Sequence, residues 1–168
     1  MLKIALLSDT HGHLDETIFK YFDDRDEIWH AGDFGTLEVV ERLASCKPLK
    51  GVYGNIDGAA IRAKFPEDVW MEIEGMKIFI THIAGSPGKY TPRVRKLLPE
   101  KKPALLICGH SHILKVMRDK VYNMMYMNPG AAGNEGFHKM KTLLRFSIDN
   151  GHLHDLEVIE LGSRGMLL

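Results

Sequence analysis

The chain has 168 residues, 45% hydrophobic and 26% charged, which suits one domain with a sizeable core and excludes a disordered or low-complexity protein. Lys and Arg together number 22, as do Asp and Glu, so the basic excess of a non-specific nucleic-acid binder is absent. The longest early apolar run, Ile4 to Leu7, is too short for a signal-peptide core or a membrane span, so a cytoplasmic protein away from the membrane is expected.

Residues 2–7 (LKIALL) read as a buried strand. Leu14 to Phe22 reads as a helix with Leu14, Ile18 and Phe22 on one face, and the DDRDE run at 23–27 as its solvated end. Glu27 to His30 gives a second strand, Leu37 to Ala44 a second helix capped by Thr36, and Leu49 to Tyr53 a third strand. This alternation predicts βαβ units and a largely parallel sheet. Val69–Glu74 and Met76–Thr81 form a hairpin around Gly75. A helix follows over Pro92–Leu98, with Thr91 as cap and Pro92 at the first position. Ala104–Cys108 is a further buried strand. Ile113–Met117 and Val121–Met127 flank Arg118-Asp119-Lys120 as a hairpin, and Thr142–Ile148 and Leu153–Ile159 flank Asp149-Asn150-Gly151 as another. The three Met residues at 124, 125 and 127 read as strand packing. Cys46 and Cys108 are isolated and read as buried free thiols. No linker or repeat divides the chain, so residues 1–168 read as a single domain with two sheets and the helices outside.

Five apolar strands each run directly into a polar cluster: Asp9-Thr10-His11, Gly32-Asp33, Gly54-Asn55, Thr81-His82 and Gly109-His110-Ser111-His112. The lead residues Asp9, Asp33, Asn55, His82 and His110 are separated by 24, 22, 27 and 28 residues, about one strand plus its return. Carboxyl ends of parallel strands share one edge of a sheet, where ligands bind, so these clusters are expected to converge. In extended chain, side chains at i and i+2 point the same way, roughly 6–7 Å apart, which would let Asp9 and His11, or His110 and His112, turn onto metal together. The converging set is Asp9, His11, Asp33, Asn55, His82, His110 and His112. Seven ligands exceed one tetrahedral zinc and suit two ions sharing a carboxylate. Imidazoles, carboxylates and an amide oxygen, with no thiolate pair, suit Mn, Fe, Zn, Co or Ni better than Mg or Ca.

The ordered motifs D-x-H, G-D, G-N-x-D, a lone His and G-H-x-H resemble those of the calcineurin-like metallophosphoesterases. They stand here as Asp9-Thr10-His11, Gly32-Asp33, Gly54-Asn55-Ile56-Asp57, His82 and Gly109-His110-Ser111-His112. Asn128-Pro129-Gly130 is similar to the N-P-G of the small bacterial and archaeal phosphodiesterase branch. The resemblance spans Asp9 to Gly130. It implies an α/β fold, a four-layer α/β/β/α sandwich of two mixed sheets with helices outside. Asp9, His11, Asp33 and His112 would hold one divalent ion, and Asp33, as bridge, with Asn55, His82 and His110 the second. Manganese is the leading candidate, with Ni, Co, Zn or Fe as alternatives. The implied activity is a metal-dependent phosphodiesterase using a hydroxide held between two metals.

The sequence departs from larger members at position 56, where Ile stands in place of the His held to protonate the leaving group. Besides Asn55, the candidate catalytic residues are therefore His13, as a proton donor, and Asp57, either behind the ligands orienting a histidine or in an ordinary Asx turn. His138, in a glycine-rich loop, could touch substrate. His30 reads as strand packing, and His152 and His154 as exposed. The expected partner is a small phosphodiester in an open site. Self-association is common in the family, though no segment specifies a dimer surface. The alternatives are a non-enzymatic scaffold of the same fold, as in the eukaryotic retromer subunit, whose metal site is degraded, and a phosphomonoesterase. The complete ligand set favours the enzyme.

Overall fold

A computed structural model describes residues 1–165. The last three residues of the expected single domain lie outside the described residues. In chain order the strands are β1 (Leu2–Leu7), β2 (Glu27–His30), β3 (Leu49–Gly51), β4 (Asp68–Ile73), β5 (Met76–Thr81), β6 (Gly85–Ser86), β7 (Lys89–Tyr90), β8 (Leu105–Ile107), β9 (Leu114–Asp119), β10 (Met124–Pro129), β11 (Met140–Asp149) and β12 (His152–Ser163). The helices are α1 (Leu37–Cys46), α2 (Ala59–Arg62) and α3 (Pro92–Lys101).

Two five-stranded mixed sheets face each other, ordered β12-β11-β1-β2-β3 and β4-β5-β8-β10-β9. Within the first, β1, β2 and β3 are parallel, and within the second, β5, β8 and β10 are. The period-two alternation of β1 divides its side chains between layers. Ile4 and Leu6 enter the core between the sheets with Trp29, Ile78, Ile80, Leu105, Ile107 and Met127. Ala5 and Leu7 face the opposite way, against Leu14, Ile18, Phe22 and the α1 residues Val39, Val40 and Leu43. On the far side, Phe79 and Leu106 pack under Val94 and Leu98 of α3. The result is four layers with helices on both outer faces, as the motif order implied. Parallel strands buried on both faces read as continuous apolar runs, which is why β1, β5 and β8 stand out in the sequence.

The caps behave as expected. Thr36 Oγ1 accepts the Val39 N–H and Thr91 Oγ1 the Val94 N–H, with Pro92 opening α3. Several local expectations need correction. The segment expected as a helix from Leu14 to Phe22 is a 3₁₀ turn over Glu16–Tyr21. It keeps the predicted buried face, but β-branched and aromatic residues supply little helix propensity, and packing sets the geometry. In the expected solvated run 23–27, Arg25 is buried and paired with Asp24 at 2.8 Å. The β9–β10 turn falls at 120–123 instead of 118–120, because Asp119 is buried and accepts the Tyr90 hydroxyl at 2.6 Å, while Asn123 supplies the positive φ. β3 stops at Gly51, and α2 and the short β6–β7 pair were not foreseen. Cys108 is buried, but Cys46 is exposed at the end of α1. Among the described residues, no helix is long and apolar enough to cross a membrane.

Candidate metal centre

All seven predicted ligands lie at the carboxyl ends of parallel strands, where the two sheets present one shared edge. Asp9 and His11 follow β1, Asp33 follows β2, Asn55 follows β3, His82 follows β5, and His110 and His112 follow β8. Two groups of donors form there. Asp9, His11 and His112 make the first and Asp33, His82 and His110 the second, with the ligand atoms of each group all within 4.8 Å of one another. Asn55 joins the second, its Oδ1 lying 3.1 Å from His82 Nε2 and 3.0 Å from His110 Nδ1. Asp33 Oδ2 lies between the groups, 3.4 Å from His11 Nε2 and 3.1 Å from His82 Nε2.

The surroundings aim each donor. Asp9 Oδ2 accepts the Ser8 hydroxyl at 2.7 Å and the His110 N–H at 3.0 Å, which leaves Oδ1 facing the cluster. Asp33 Oδ1 accepts the Ile56 N–H at 3.0 Å, leaving Oδ2 free in the same way. His82 Nδ1–H donates to the Ala31 carbonyl at 2.7 Å, so its Nε2 lone pair points inward. Asn128 orders the G-H-S-H loop, its Nδ2 donating to Gly109 O and Ser111 Oγ, each at 3.0 Å. Gly54 and Gly109 are required by close approach. A Cβ at Gly54 would collide with Asp33, and one at Gly109 would sit on Ser8 Oγ and 2.7 Å from Asp9 Oδ2.

The pairing of ligands two residues apart has a different cause from the one the sequence suggested. β1 and β8 end before the motifs, and Asp9, His11, His110 and His112 all have positive φ, as does Asp33. Left-handed residues turn the chain and aim these side chains, where extended backbone was expected.

The donor set fits divalent cations. Among the described residues, Asp9 Oδ1 and His11 Nε2 are buried without a hydrogen-bond partner, a costly arrangement unless a cation serves both. In the second group, the Asn55 side-chain oxygen and Asp33 Oδ2 converge on His82 Nε2, each 3.1 Å from it. Burial opposes ionisation of Asp9, but the neighbouring imidazoles of His11, His112 and His82 outweigh it and hold its carboxyl below the usual range. Burial likewise opposes ionisation of Asp33, and the adjacent His82 imidazole outweighs it and lowers the pKa. The Asp9 carboxylate raises the His11 pKa. Burial pushes His110 down.

Two open grooves flank the cluster. One, of about 520 Å³, is lined by Tyr53, Asn55, Arg62, His82, Ile83 and Arg93 among others. The second, of about 510 Å³, includes His110, His112, Ile113, Phe137 and His138.

The candidate catalytic residues fare differently. Asn55 lies within the cluster. The structure does not bring His13 there; its Nε2 bonds Asp15 at 2.9 Å, which in turn pairs with Lys141. Asp57 orients no histidine among the described hydrogen bonds. Its buried carboxylate instead accepts the backbone N–H groups of Gly54, Gly35 and Phe34 at 2.8, 2.9 and 3.2 Å, clamping the loops after β2 and β3 together. His30 is fully buried, stacked on Phe34. Its Nδ1 accepts the Gly32 N–H, so Nε2–H donates to Thr10 Oγ1 between Asp9 and His11. His138 sits beside His112 with ring centroids 5.3 Å apart. His152 and His154 are exposed. Sequence reasoning missed Glu135, whose Oε2 lies 3.4 Å from His11 Nδ1.

Residues 2–160 match the model of the calcineurin-like phosphoesterase superfamily domain. A probable metallophosphoesterase of Methanothermobacter thermautotrophicus is 30% identical over 135 residues, covering 76% of each chain. A phosphodiesterase of Methanocaldococcus jannaschii is 26% identical over 145 residues, 77% of this chain and 83% of that protein. Among solved structures, an archaeal phosphodiesterase aligns with a TM-score of 0.77 at 23% identity, covering 95% of this chain and 100% of that one. Vps29 of Entamoeba histolytica complexed with zinc aligns with a TM-score of 0.75 at 14% identity, covering 95% and 99%. At these identities the two structures establish the fold alone.

Proposed function

This chain belongs to the calcineurin-like phosphoesterase superfamily, and on that premise we propose that it hydrolyses phosphodiesters with two divalent cations. The observation that carries the reading is the complete pair of donor groups joined by Asp33. Asp9, His11 and His112 would hold one cation, Asn55, His82 and His110 the other, and Asp33 both. Bound there, the cations would supply Lewis-acid charge for the phosphoryl oxygens and lower the pKa of a water for attack. We favour manganese, with Ni, Co, Zn and Fe as alternatives, and a cytoplasmic setting.

The chain's own residues fix the donors and leave the edge open. Ile56 cannot donate a proton, and His13 is occupied by Asp15. Leaving groups would therefore depart with little proton assistance, so turnover should fall steeply as the leaving group becomes less acidic. This favours diesters with good leaving groups over alkyl monoesters. The test is hydrolysis of bis-p-nitrophenyl phosphate by chelator-stripped protein, with Mn, Ni, Co, Zn and Mg restored separately. Metal-dependent turnover that Asp33→Asn abolishes is the expected result. No turnover with any metal, despite metal uptake, would favour the scaffold reading. A flat rate across aryl diesters of differing acidity would overturn the claim of unassisted departure.

A further inference from the structure

A metal-bound histidine generally needs an acceptor for its second ring nitrogen, which fixes both tautomer and ring orientation. Ala31 O does this for His82 at 2.7 Å. His11 is different, because no carbonyl of its own strand neighbourhood takes its Nδ1. Its Nε2 faces Asp9 and Asp33, and its Nδ1 faces Glu135 Oε2 at 3.4 Å. Glu135 lies in the β10–β11 loop, and that loop lies across the first donor group. Gly133 N–H donates to Asp9 O at 3.2 Å, and His138 Nε2–H closes the loop on Gly133 O at 2.8 Å. Gly136 packs so closely on the His112 ring that a Cβ there would meet Nδ1. Asp9, His11 and His112 are thus all touched by this loop. Among the described hydrogen bonds and ion pairs, none joins the loop to Asp33, Asn55, His82 or His110.

Resting on the metal reading above, we propose that Glu135 is a positioning residue for the first cation alone. Its exposed carboxylate, 3.4 Å from His11 Nδ1, favours a proton on that nitrogen and so turns Nε2 toward Asp9, while the loop that carries it braces His112. Losing it should therefore weaken one metal site and spare the other.

The experiment is calorimetric titration of the metal-free full-length protein with Mn²⁺ at pH 7. His112→Ala and His110→Ala identify which binding step belongs to which group. Glu135→Ala should weaken the first-group step about 10- to 100-fold and leave the second within error. Glu135→Gln should lose less, since its amide oxygen still accepts. Superimposable isotherms, or equal weakening of both steps, would overturn the proposal. A wild-type protein that takes up no Mn²⁺ would overturn the metal reading itself, and this inference with it.

Discussion

Removing the Asp57 carboxylate should unfasten two site loops at once. Its oxygens take three backbone N–H groups, at 2.8, 2.9 and 3.2 Å, from Gly54, Gly35 and Phe34, the first and last buried and that of Gly35 partly so. Asp57→Ala leaves those donors without a partner, and each buried orphan costs about 1–3 kcal/mol. Water entering the small void would recover part of that, so a loss of about 3–5 kcal/mol is expected. Asp57→Asn is milder. Its one oxygen can stay with Gly54 and Phe34, but the charge is gone and its NH₂ confronts the Gly35 N–H. About 1 kcal/mol is lost at each retained bond and about 1 kcal/mol or more at the third, roughly 3 kcal/mol together. For a chain of this size, about 3 kcal/mol corresponds to a fall in Tm of about 6–12 °C. Urea denaturation of the chelator-treated protein at pH 7 measures both variants. Because Asp33 and Asn55 ride on the loops concerned, Mn²⁺ affinity should fall as well. If Asp57→Ala unfolds within 1 kcal/mol of wild type, or Asp57→Asn is the worse of the two, the clamp argument is wrong.

Burial drives the His30 pKa down to about 3, against about 6.5 unfolded. The unfolded chain therefore takes a proton that the folded chain refuses. Stability should be intact above pH 6.5 and fall, as pH drops from there toward 3, by about 1.4 kcal/mol per unit. His30→Gln should remove that slope in urea titrations between pH 6.5 and 5; an unchanged slope would count against a neutral buried imidazole. Gly109→Ala forces a methyl onto Ser8 and Asp9, so it should cost about 2 kcal/mol or more by overpacking and abolish the first Mn²⁺ step in calorimetry. His110 is exposed with φ 71°, so His110→Gly relieves about 1 kcal/mol of left-handed strain while deleting a ligand. The metal-free variant should be as stable as wild type or more so in urea and bind one Mn²⁺ fewer; destabilisation by more than 1 kcal/mol would show that the backbone there is not strained.

The gross fold was legible because apolar runs that end in polar clusters are what parallel strands buried on both faces must look like. Ile4 to Leu7 and Ile78 to Ile80 could serve little else, and the clusters behind them had to share an edge. The convergence of the candidate donors was legible for the same reason, since strand ends fix where Asp9, Asp33, His82 and His110 emerge. What could not be read was contact made by backbone. Asp57 looks like any carboxylate near a histidine site, and only the fold shows three amides turned toward it. Glu135 carries no signal at all, because its meeting with His11 depends on the path of a loop far away in sequence. The segment at 14–22 shows the reverse case. Its apolar spacing identified the buried face correctly, while the turn geometry followed from packing that spacing cannot encode.

The left-handed residues connect fold to chemistry. Five of the seven donors have φ between 46° and 71°, a conformation that costs a non-glycine residue about 1–2 kcal/mol. Such strain persists only where the surroundings over-determine it. Here they do. The amides of Asp9 and His11 donate to Gly32 O and Asp33 O, each at 3.0 Å, and the His110 amide to Asp9 Oδ2 at 3.0 Å. Each of these bonds ties one strand end to another. The hydrogen bonds that force the backbone into the left-handed region are thus the same ones that hold donors from both sheets together. Relaxing any one motif to extended backbone would free its strain but swing a donor out of reach of the others. A sequence optimised for stability alone would place glycine or asparagine at such positions. Aspartate and histidine tolerate the left-handed region better than most side chains, and they carry donor atoms that glycine lacks.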